Sequence, residues 1–329
     1  MNTKVSYKEI IENKFINKKV IVIGDLMVDR YISGKVRKIS PEAPVPVLDY
    51  VDKRYVAGGA SNVVNNLIGL GLTVYVSGVV SNDQAGEWLV NELTEKGALV
   101  DGVVSDSSRP TTMKTRYTTK GYQLLRVDHE DTRDIHDDLK KQIYEFCELH
   151  IKDVDAVILS DYLKGVLKDK LFINKIINLC KGNNKFVAVD TKSTDIDSFK
   201  DADILTPNVD EVSGAVGIKI DSEDNLNRAA KTYLRESGAR ILVLTRGDKG
   251  ISVFEKDKTR RDFPAKDVEV FDVSGAGDTV LSTVAAGIIS GLSVYDSVSL
   301  ANYAAGVVIT KRGTAAINRE ELIRSLNEE

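Results

Sequence analysis

The stretch Phe271-Asp-Val-Ser-Gly-Ala-Gly-Asp-Thr279 constrains this chain more tightly than any other. A β-branched run, Asp267-Val-Glu-Val-Phe271, precedes it and reads as a strand arriving from the interior. The small and apolar Thr279-Val-Leu-Ser-Thr-Val-Ala-Ala-Gly-Ile-Ile289 follows it and reads as a buried helix. Between them, Ser274-Gly-Ala-Gly277 carries almost no side-chain bulk. A helix start has free backbone N–H groups and a partial positive charge, so an anion can come close to glycines placed there. Asp278 sits in the first turn of that helix, beside any such anion. A carboxylate there can take a proton from a hydroxyl while the amides hold the charge developing on a transferring phosphoryl group. A bare Gly-x-Gly-Asp also fits a structural turn. The flanking strand and helix, with Asp272 six residues upstream, favour the chemical reading.

The same strand-then-helix rhythm recurs along the chain. Lys19-Val-Ile-Val-Ile-Gly24, Leu72 to Val80, Asp155-Ala-Val-Ile-Leu-Ser-Asp161, Phe186-Val-Ala-Val-Asp190 and Ile241-Leu-Val-Leu-Thr245 are short apolar runs. Strands of a parallel sheet buried on both faces look like this. Helices are expected over about residues 5–17, 83–96, 136–151, 168–181, 222–237 and 294–312. The class is therefore α/β, with ligands expected outside the carboxyl ends of the strands. Asp25 and Asp29 follow the first strand at that end, where they either accept hydrogen bonds from sugar hydroxyls or cap a loop. Ala57-Gly-Gly-Ala-Ser-Asn62 opens a helix, and Asn62 either presents its amide to a polyol or is an ordinary helix-start residue. Asn208 and Glu211, one turn apart, either orient a hydrated Mg²⁺ or cap their helix.

Two segments leave this rhythm. In residues 32–57, Ile39-Ser-Pro-Glu-Ala-Pro-Val-Pro-Val47 holds half of the chain's six prolines. Proline fixes φ and donates no hydrogen bond, so this piece is expected to run extended along a sheet edge. Residues 110–128 read as a hairpin turning near Lys120-Gly121. Together the segments make a small lid sheet over the site. Arg37, Lys38, Lys114, Arg116 and Arg126 lie on it, either as receivers of an anionic substrate or as solvated strand charges. A thin sheet has too little core to stand alone, so a homodimer through the lid is expected.

Composition removes several other functions. A formal net charge of −4 argues against broad nucleic-acid or anionic-membrane binding. No stretch approaches the ~20 apolar residues of a membrane span. The N-terminus lacks the apolar core of a signal peptide. Cys147 and Cys180, like His129, His136 and His150, lack metal-ligand spacing, so reduced cysteines in a cytoplasmic protein without zinc are expected. No Gly-x-x-x-x-Gly-Lys-Ser/Thr loop occurs, so phosphate binding is not of the Walker type.

Gly58-Gly59 with Asn62, Asn208-x-x-Glu211, Thr245-Arg-Gly247 and Asp272 to Asp278 together give a resemblance to the ribokinase-like (phosphofructokinase-B-type) carbohydrate kinases, over about residues 18–326. The resemblance implies a three-layer αβα sandwich with a mostly parallel sheet and a small β-sheet lid. It also implies one kinase domain over residues 1–329, with lid segments near 32–57 and 110–128 inserted. Gly24-Asp-Leu-Met-Val-Asp-Arg30 and the Ser-Pro-Glu-Ala-Pro-Val-Pro run narrow it to the heptose 7-phosphate kinases, which act in making the ADP-heptose precursor of bacterial surface polysaccharide. By that resemblance Asp278 is the base, and the amides of Gly275, Ala276 and Gly277 form the anion hole. Asn208 and Glu211 position Mg²⁺ through water, and Lys192 approaches the phosphates. Thr245, Gly247 and Asn302 line the nucleotide pocket. Asp25, Asp29, Gly59 and Asn62 hold the sugar, while Lys114, Arg116 and Arg126 reach the sugar's own phosphate. ATP with Mg²⁺ is implied; a monovalent cation such as K⁺ is left open. One departure is Thr191, where the family's Asp-x-Lys motif usually has proline. Many relatives carry a fused nucleotidyltransferase domain; this chain stops at Glu329, so a separate kinase is expected. The expected reaction is phosphorylation of the C1 hydroxyl of D-glycero-D-manno-heptose 7-phosphate. A ribokinase- or fructokinase-like enzyme for a neutral sugar is the first alternative. A non-catalytic sugar- or nucleotide-binding regulator is the second, and the intact Gly-Ala-Gly-Asp argues against it.

Overall fold

The apolar runs become strands because each is covered from both sides. In the strand β1 (Lys19–Gly24), Val20 and Val22 enter one hydrophobic core while Ile21 and Ile23 enter a second, on the opposite face. The computed structural model describes residues 6–256 and 258–327, so the first residue of the helix expected over 5–17 lies outside the described residues. That helix is α1 (Tyr7–Asn13), capped by Ser6 and followed by a short 3-10 turn. In chain order there follow β2 (Leu26–Ile39), β3 (Pro46–Gly59), α2 (Ala60–Gly69), β4 (Thr73–Val80), α3 (Gln84–Glu95), β5 (Leu99–Ser105), β6 (Thr112–Thr119), β7 (Tyr122–His129), α4 (Asp137–His150), β8 (Ala156–Asp161), α5 (Lys170–Gly182), β9 (Phe186–Thr191), β10 (Ile204–Leu205), α6 (Val209–Val216), α7 (Glu223–Ser237), β11 (Ile241–Thr245), β12 (Ile251–Glu255), β13 (Arg261–Phe263), α8 (Ala276–Ile289), α9 (Val294–Val308) and α10 (Arg319–Ser325).

The larger sheet has the order β13-β12-β11-β10-β9-β8-β1-β4-β5. It is parallel except at β12 and β13, which pair antiparallel at one edge. One core packs it against α1, α2, α3, α8, α9 and α10, and the other against α4, α5 and α7. This is the three-layer αβα sandwich with a mostly parallel sheet. Among the described residues no helix is long and apolar enough to cross a membrane.

The second sheet, β3-β2-β6-β7, is the lid. It is larger than expected, because β2 and β3 run 14 residues each and reach back to the main sheet at Leu26 and Gly59. The β6–β7 hairpin turns where expected, with Lys120 at φ 48° and Gly121 at φ 87°, the positive pair that matches strand twist.

Three expectations need correcting. Residues 41–45 of the proline-rich piece form the bent connection between β2 and β3, not an extended edge, because closely spaced prolines suit a turn that donates few hydrogen bonds. Residues 267–271 are not a strand from the interior. They run irregularly over the surface, with Val270 and Phe271 each 55% exposed. Val268 and Val270 line a cavity and not the core, which a sequence pattern cannot distinguish. The last long helix ends at Val308, not near residue 312.

Candidate active site

Gly275 begins the site. It is the N-cap of α8 at φ 85°, a left-handed conformation that favours glycine. A Cβ there would lie 2.6 Å from Nδ2 of Asn62. The helix start leaves its first N–H groups without intrahelical acceptors. The Ala276 amide bonds the Val273 carbonyl at 3.2 Å and the Thr279 amide bonds the Gly275 carbonyl at 3.0 Å. The amides of Gly275 and Gly277 have no such partner among the described residues, and the space around Gly277 is open. Gly275 and Gly277 thus have amides free to face an anion, while Ala276 is already engaged in its turn.

Asp278 is 3% exposed. Its Oδ1 accepts a hydrogen bond from the Tyr162 hydroxyl at 2.6 Å, and its Oδ2 accepts one from Asn62 Nδ2 at 2.8 Å. Burial pushes its pKa up to about 6; the two hydrogen bonds and Lys192 oppose that shift, and the nearby Asp190 charge adds to it. Gly59, at φ 54°, caps α2 and so places Asn62 one turn in, against Asp278. Asn62 is thus found as a partner of the carboxylate.

Tyr162 was not anticipated from the sequence. It lies in the loop after β8, and Asp25 fixes that loop. The Asp25 carboxylate is 1% exposed and accepts from the amides of Tyr162 (2.8 Å), Lys164 (3.0 Å) and Val166 (3.1 Å). Burial raises its pKa against these three donors. Of the two roles left open for Asp25, the side chain adopts the loop cap.

On the other side of Asp278 lies a cavity of about 850 Å³. Lys192, Asn208, Glu211, Thr245, Gly247, Asn302 and the Gly275–Asp278 turn all line it, so every residue expected at the nucleotide is brought together. Asp190 and Val268, Val270 and Val273 join them unpredicted. Asn208 and Glu211 form a capping box on α6, with the Glu211 amide on Asn208 Oδ1 (2.9 Å) and the Asn208 amide on Glu211 Oε2 (2.8 Å). The capping alternative is therefore what these side chains adopt. The remaining Glu211 oxygen pairs with Lys192 at 2.8 Å, and Lys192 also reaches Asp190 at 3.0 Å. Burial works against the Lys192 ammonium, but Asp190 and Glu211 outweigh it and raise its pKa. The departure at Thr191 leaves this lysine in place, and the threonine hydroxyl bonds buried Asp161 at 2.6 Å.

The lid supplies the third wall. Asp29, 4% exposed, takes a short hydrogen bond from Arg116 and one from the Thr314 hydroxyl at 2.9 Å. Strand register puts Arg54, Tyr31, Arg116 and Arg126 in one row across β3, β2, β6 and β7, so they share a face. Both Arg54 and Arg116 stack on Tyr31, with guanidinium carbons 4.7 and 5.3 Å from the ring centroid. The other expected lid cations are largely neutralised. Lys114 pairs with Asp128 and Glu130 (3.2 Å each), Arg126 with Asp128 (2.8 Å) and Arg37 with Asp49 (3.3 Å). Arg37 and Lys38 also lie eight and nine residues beyond Asp29 on β2, about 26–30 Å away along the strand. They do not reach this site. Arg54, which sequence reasoning passed over, makes no hydrogen bond or ion pair among the described residues.

Known proteins resemble this chain in sequence and in fold. The model of the pfkB family of carbohydrate kinases matches residues 17–321. The bifunctional protein HldE of Desulfatibacillum aliphaticivorans is 39% identical over 315 residues, covering 96% of this chain and 64% of that relative. HldE of Geobacter sulfurreducens is 39% identical over 306 residues, covering 93% of this chain and 62% of its own length. The chain thus spans under two thirds of these relatives. In fold it is similar to Arabidopsis thaliana ribokinase complexed with ribose and ATP (TM-score 0.75, 18% identity, 94% of this chain and 98% of that one). It is likewise similar to Escherichia coli phosphofructokinase-2 in complex with potassium (TM-score 0.76, 16% identity, 94% and 98%). A family match over nearly the whole chain, together with a dry aspartate at a glycine-started helix beside a nucleotide-sized cavity, leads to one conclusion: this chain belongs to the pfkB family of carbohydrate kinases.

Proposed function

We propose that the protein transfers the γ-phosphoryl group of ATP to the C1 hydroxyl of D-glycero-D-manno-heptose 7-phosphate. The observation that carries this reading is the position of Asp278, between the nucleotide-sized cavity and a lid wall that ends in the free guanidinium of Arg54. Asp278 takes the proton of the attacked hydroxyl, and the amides of Gly275 and Gly277 face the charge developing on the phosphoryl group. Asp29 and Thr314 address sugar hydroxyls. Arg54, across Tyr31 from the Arg116–Asp29 pair, receives the sugar's own phosphate.

Among the described residues no cluster of three or more acidic, histidine or cysteine side chains forms a metal cage. Mg²⁺ does not need such a cage, since it keeps several waters and is bound through one or two carboxylates plus substrate phosphates. Glu211 and Asp190 would hold it, with Glu211 released from Lys192 as that lysine turns to the phosphates. When bound, Mg²⁺ neutralises charge on the β- and γ-oxygens. Whether K⁺ joins it is read by repeating the assay in sodium and in potassium buffer.

The test is kcat/KM for heptose 7-phosphate against unphosphorylated heptose and ribose, in wild type and in Arg54→Ala. One lost charge-assisted contact is worth ~1.5–3 kcal/mol, or about 10–100-fold. That loss is expected for the phosphorylated substrate alone. A wild type that prefers ribose would refute this reading in favour of a neutral-sugar kinase.

A further inference from the structure

Nothing in the phosphoryl-transfer chemistry requires a tyrosine on the base, yet the fold fixes one there with care. The loop carrying Tyr162 is held by the three amide bonds to Asp25 and by a bond from the Leu163 amide to Asp161 at 2.9 Å. Arg109, itself buried, bonds the Lys164 carbonyl at 3.1 Å. Leu163 takes the left-handed region at φ 60°, a conformation that a branched side chain disfavours. A buried aspartate, a buried arginine and a strained leucine thus converge on one loop, and what that loop presents to the cavity is the Tyr162 side chain.

We propose that Tyr162 is a positioning residue, whose hydroxyl, donated to Oδ1 of Asp278, orients the base and tunes its basicity. With Asn62 on Oδ2, the two donors fix the carboxylate plane from opposite ends. Each oxygen keeps a lone pair free for the substrate hydroxyl. The charged groups facing this pair are few. Asp190 and Lys192 approach Asp278 from the end of β9, and Asp190 and Asp29 act on Tyr162. Burial, with Asp278 and Asp190 nearby, holds the Tyr162 phenol well above its usual range, so it stays a donor throughout the working pH range. Burial alone would leave Asp278 a proton-holding acid; the tyrosine donor opposes that and keeps the oxygen available as a base.

The inference rests on Asp278 being the base, and the experiment separates the two. In Tyr162→Phe, loss of a hydrogen bond to a charged group moves the acid limb of the kcat/KM profile upward by about one to two pH units. Activity at pH 7 falls about two- to tenfold and recovers as the pH is raised towards 9. Replacing Tyr162 with 3-fluorotyrosine, a stronger donor of the same shape, moves the limb the other way, and it serves as the readout if the phenylalanine variant does not fold. A uniform loss at every pH with an unmoved limb, or an unmoved limb in the fluorotyrosine enzyme, overturns the proposal. Asp278→Asn is the control: residual turnover near wild type would refute the base itself, whereas an inactive Asp278→Asn with unmoved tyrosine limbs would refute the role of Tyr162 alone.

Discussion

Replacing Asp278 with asparagine should stabilise this protein while abolishing its turnover. The carboxyl titrates at about 6 in the fold against 3.8 as its ordinary value, chiefly because burial disfavours its charge. The sign follows from linkage: the folded state binds this proton more tightly than the unfolded chain, so the contribution is fully present below pH ~4 and is lost as the pH rises through about 6. Integrating between those values gives a penalty of roughly 1–2 kcal/mol at pH 5 and about 3 kcal/mol at pH 7. Asparagine carries no charge to desolvate. Its carbonyl can accept from Asn62 and its amide can donate to the Tyr162 oxygen, so both contacts survive with one donor reversed. Urea denaturation of both proteins at pH 5, 6 and 7 measures the difference. The variant should be the more stable one, with the gap widening by about 1–2 kcal/mol over that range. Asp25 and Asp161 also titrate with raised values, but they are common to both proteins and cancel. In the same samples turnover should fall by ~10²–10⁴-fold with nucleotide binding nearly intact. A pH-independent gap, or a variant less stable at pH 7 than at pH 5 relative to wild type, would refute the claim that burial governs this carboxylate.

Two further outcomes are expected. Gly275→Ala forces a positive φ on alanine and drives its Cβ to 2.6 Å from Asn62, the second donor to the base. It should cost ~1–2 kcal/mol of stability and, through the displaced anion site, at least 10²-fold in kcat; kinetics within threefold of wild type would remove Gly275 from the site. On the lid, the strand β7 lies at the sheet edge with Tyr122 (75%), Leu125 (57%) and Val127 (46%) exposed, a surface that a second copy would cover. Light scattering at micromolar concentration should report a dimer that Leu125→Asp dissociates, and a monomeric wild type would refute pairing through the lid.

What was legible in the sequence divides along a physical line. Strands buried on both faces announce themselves as apolar runs, so β1, β4, β8, β9 and β11 were readable. The edge strands β5 and β13 were not, because Leu99-Val-Asp-Gly-Val-Val-Ser105 and Arg261-Asp-Phe263 carry mixed polarity. An apolar side chain that lines a ligand cavity looks the same as one that lines a core, which is why residues 267–271 read as a strand. Tyr162 was hidden for a different reason. Its partner Asp278 is 116 residues away, and nothing local in Asp161-Tyr-Leu-Lys-Gly165 marks it. The Gly275–Gly277 turn and the Asn208–Glu211 cap have local signatures that survive without the fold, whereas Lys192, Thr245, Gly247 and Asn302 were reached only through the family resemblance.

The lid shows why a count of cations is a poor guide to anion binding. Five were candidates from sequence, but a strand's charge is set by its neighbours in register. Lys114 faces Asp128 directly, and Arg116 lies two residues along from the level of Asp29, on the same face. Each is cancelled before any substrate arrives. Cancellation has a use: a sheet carrying five free cations on one thin layer would repel itself, whereas paired charges let it fold first and bind afterwards. Asp29 is then held in place by Arg116 and Thr314, and as a carboxylate it would accept from a neutral hydroxyl but repel a phosphate. On the proposed reading, the sugar's phosphate would lodge at Arg54, which lies on the far side of Tyr31 and has no ion pair among the described residues. That spacing would force an extended substrate, hydroxyl towards Asp278 and phosphate towards Arg54, so the lid would select for the length of the sugar phosphate as well as its charge.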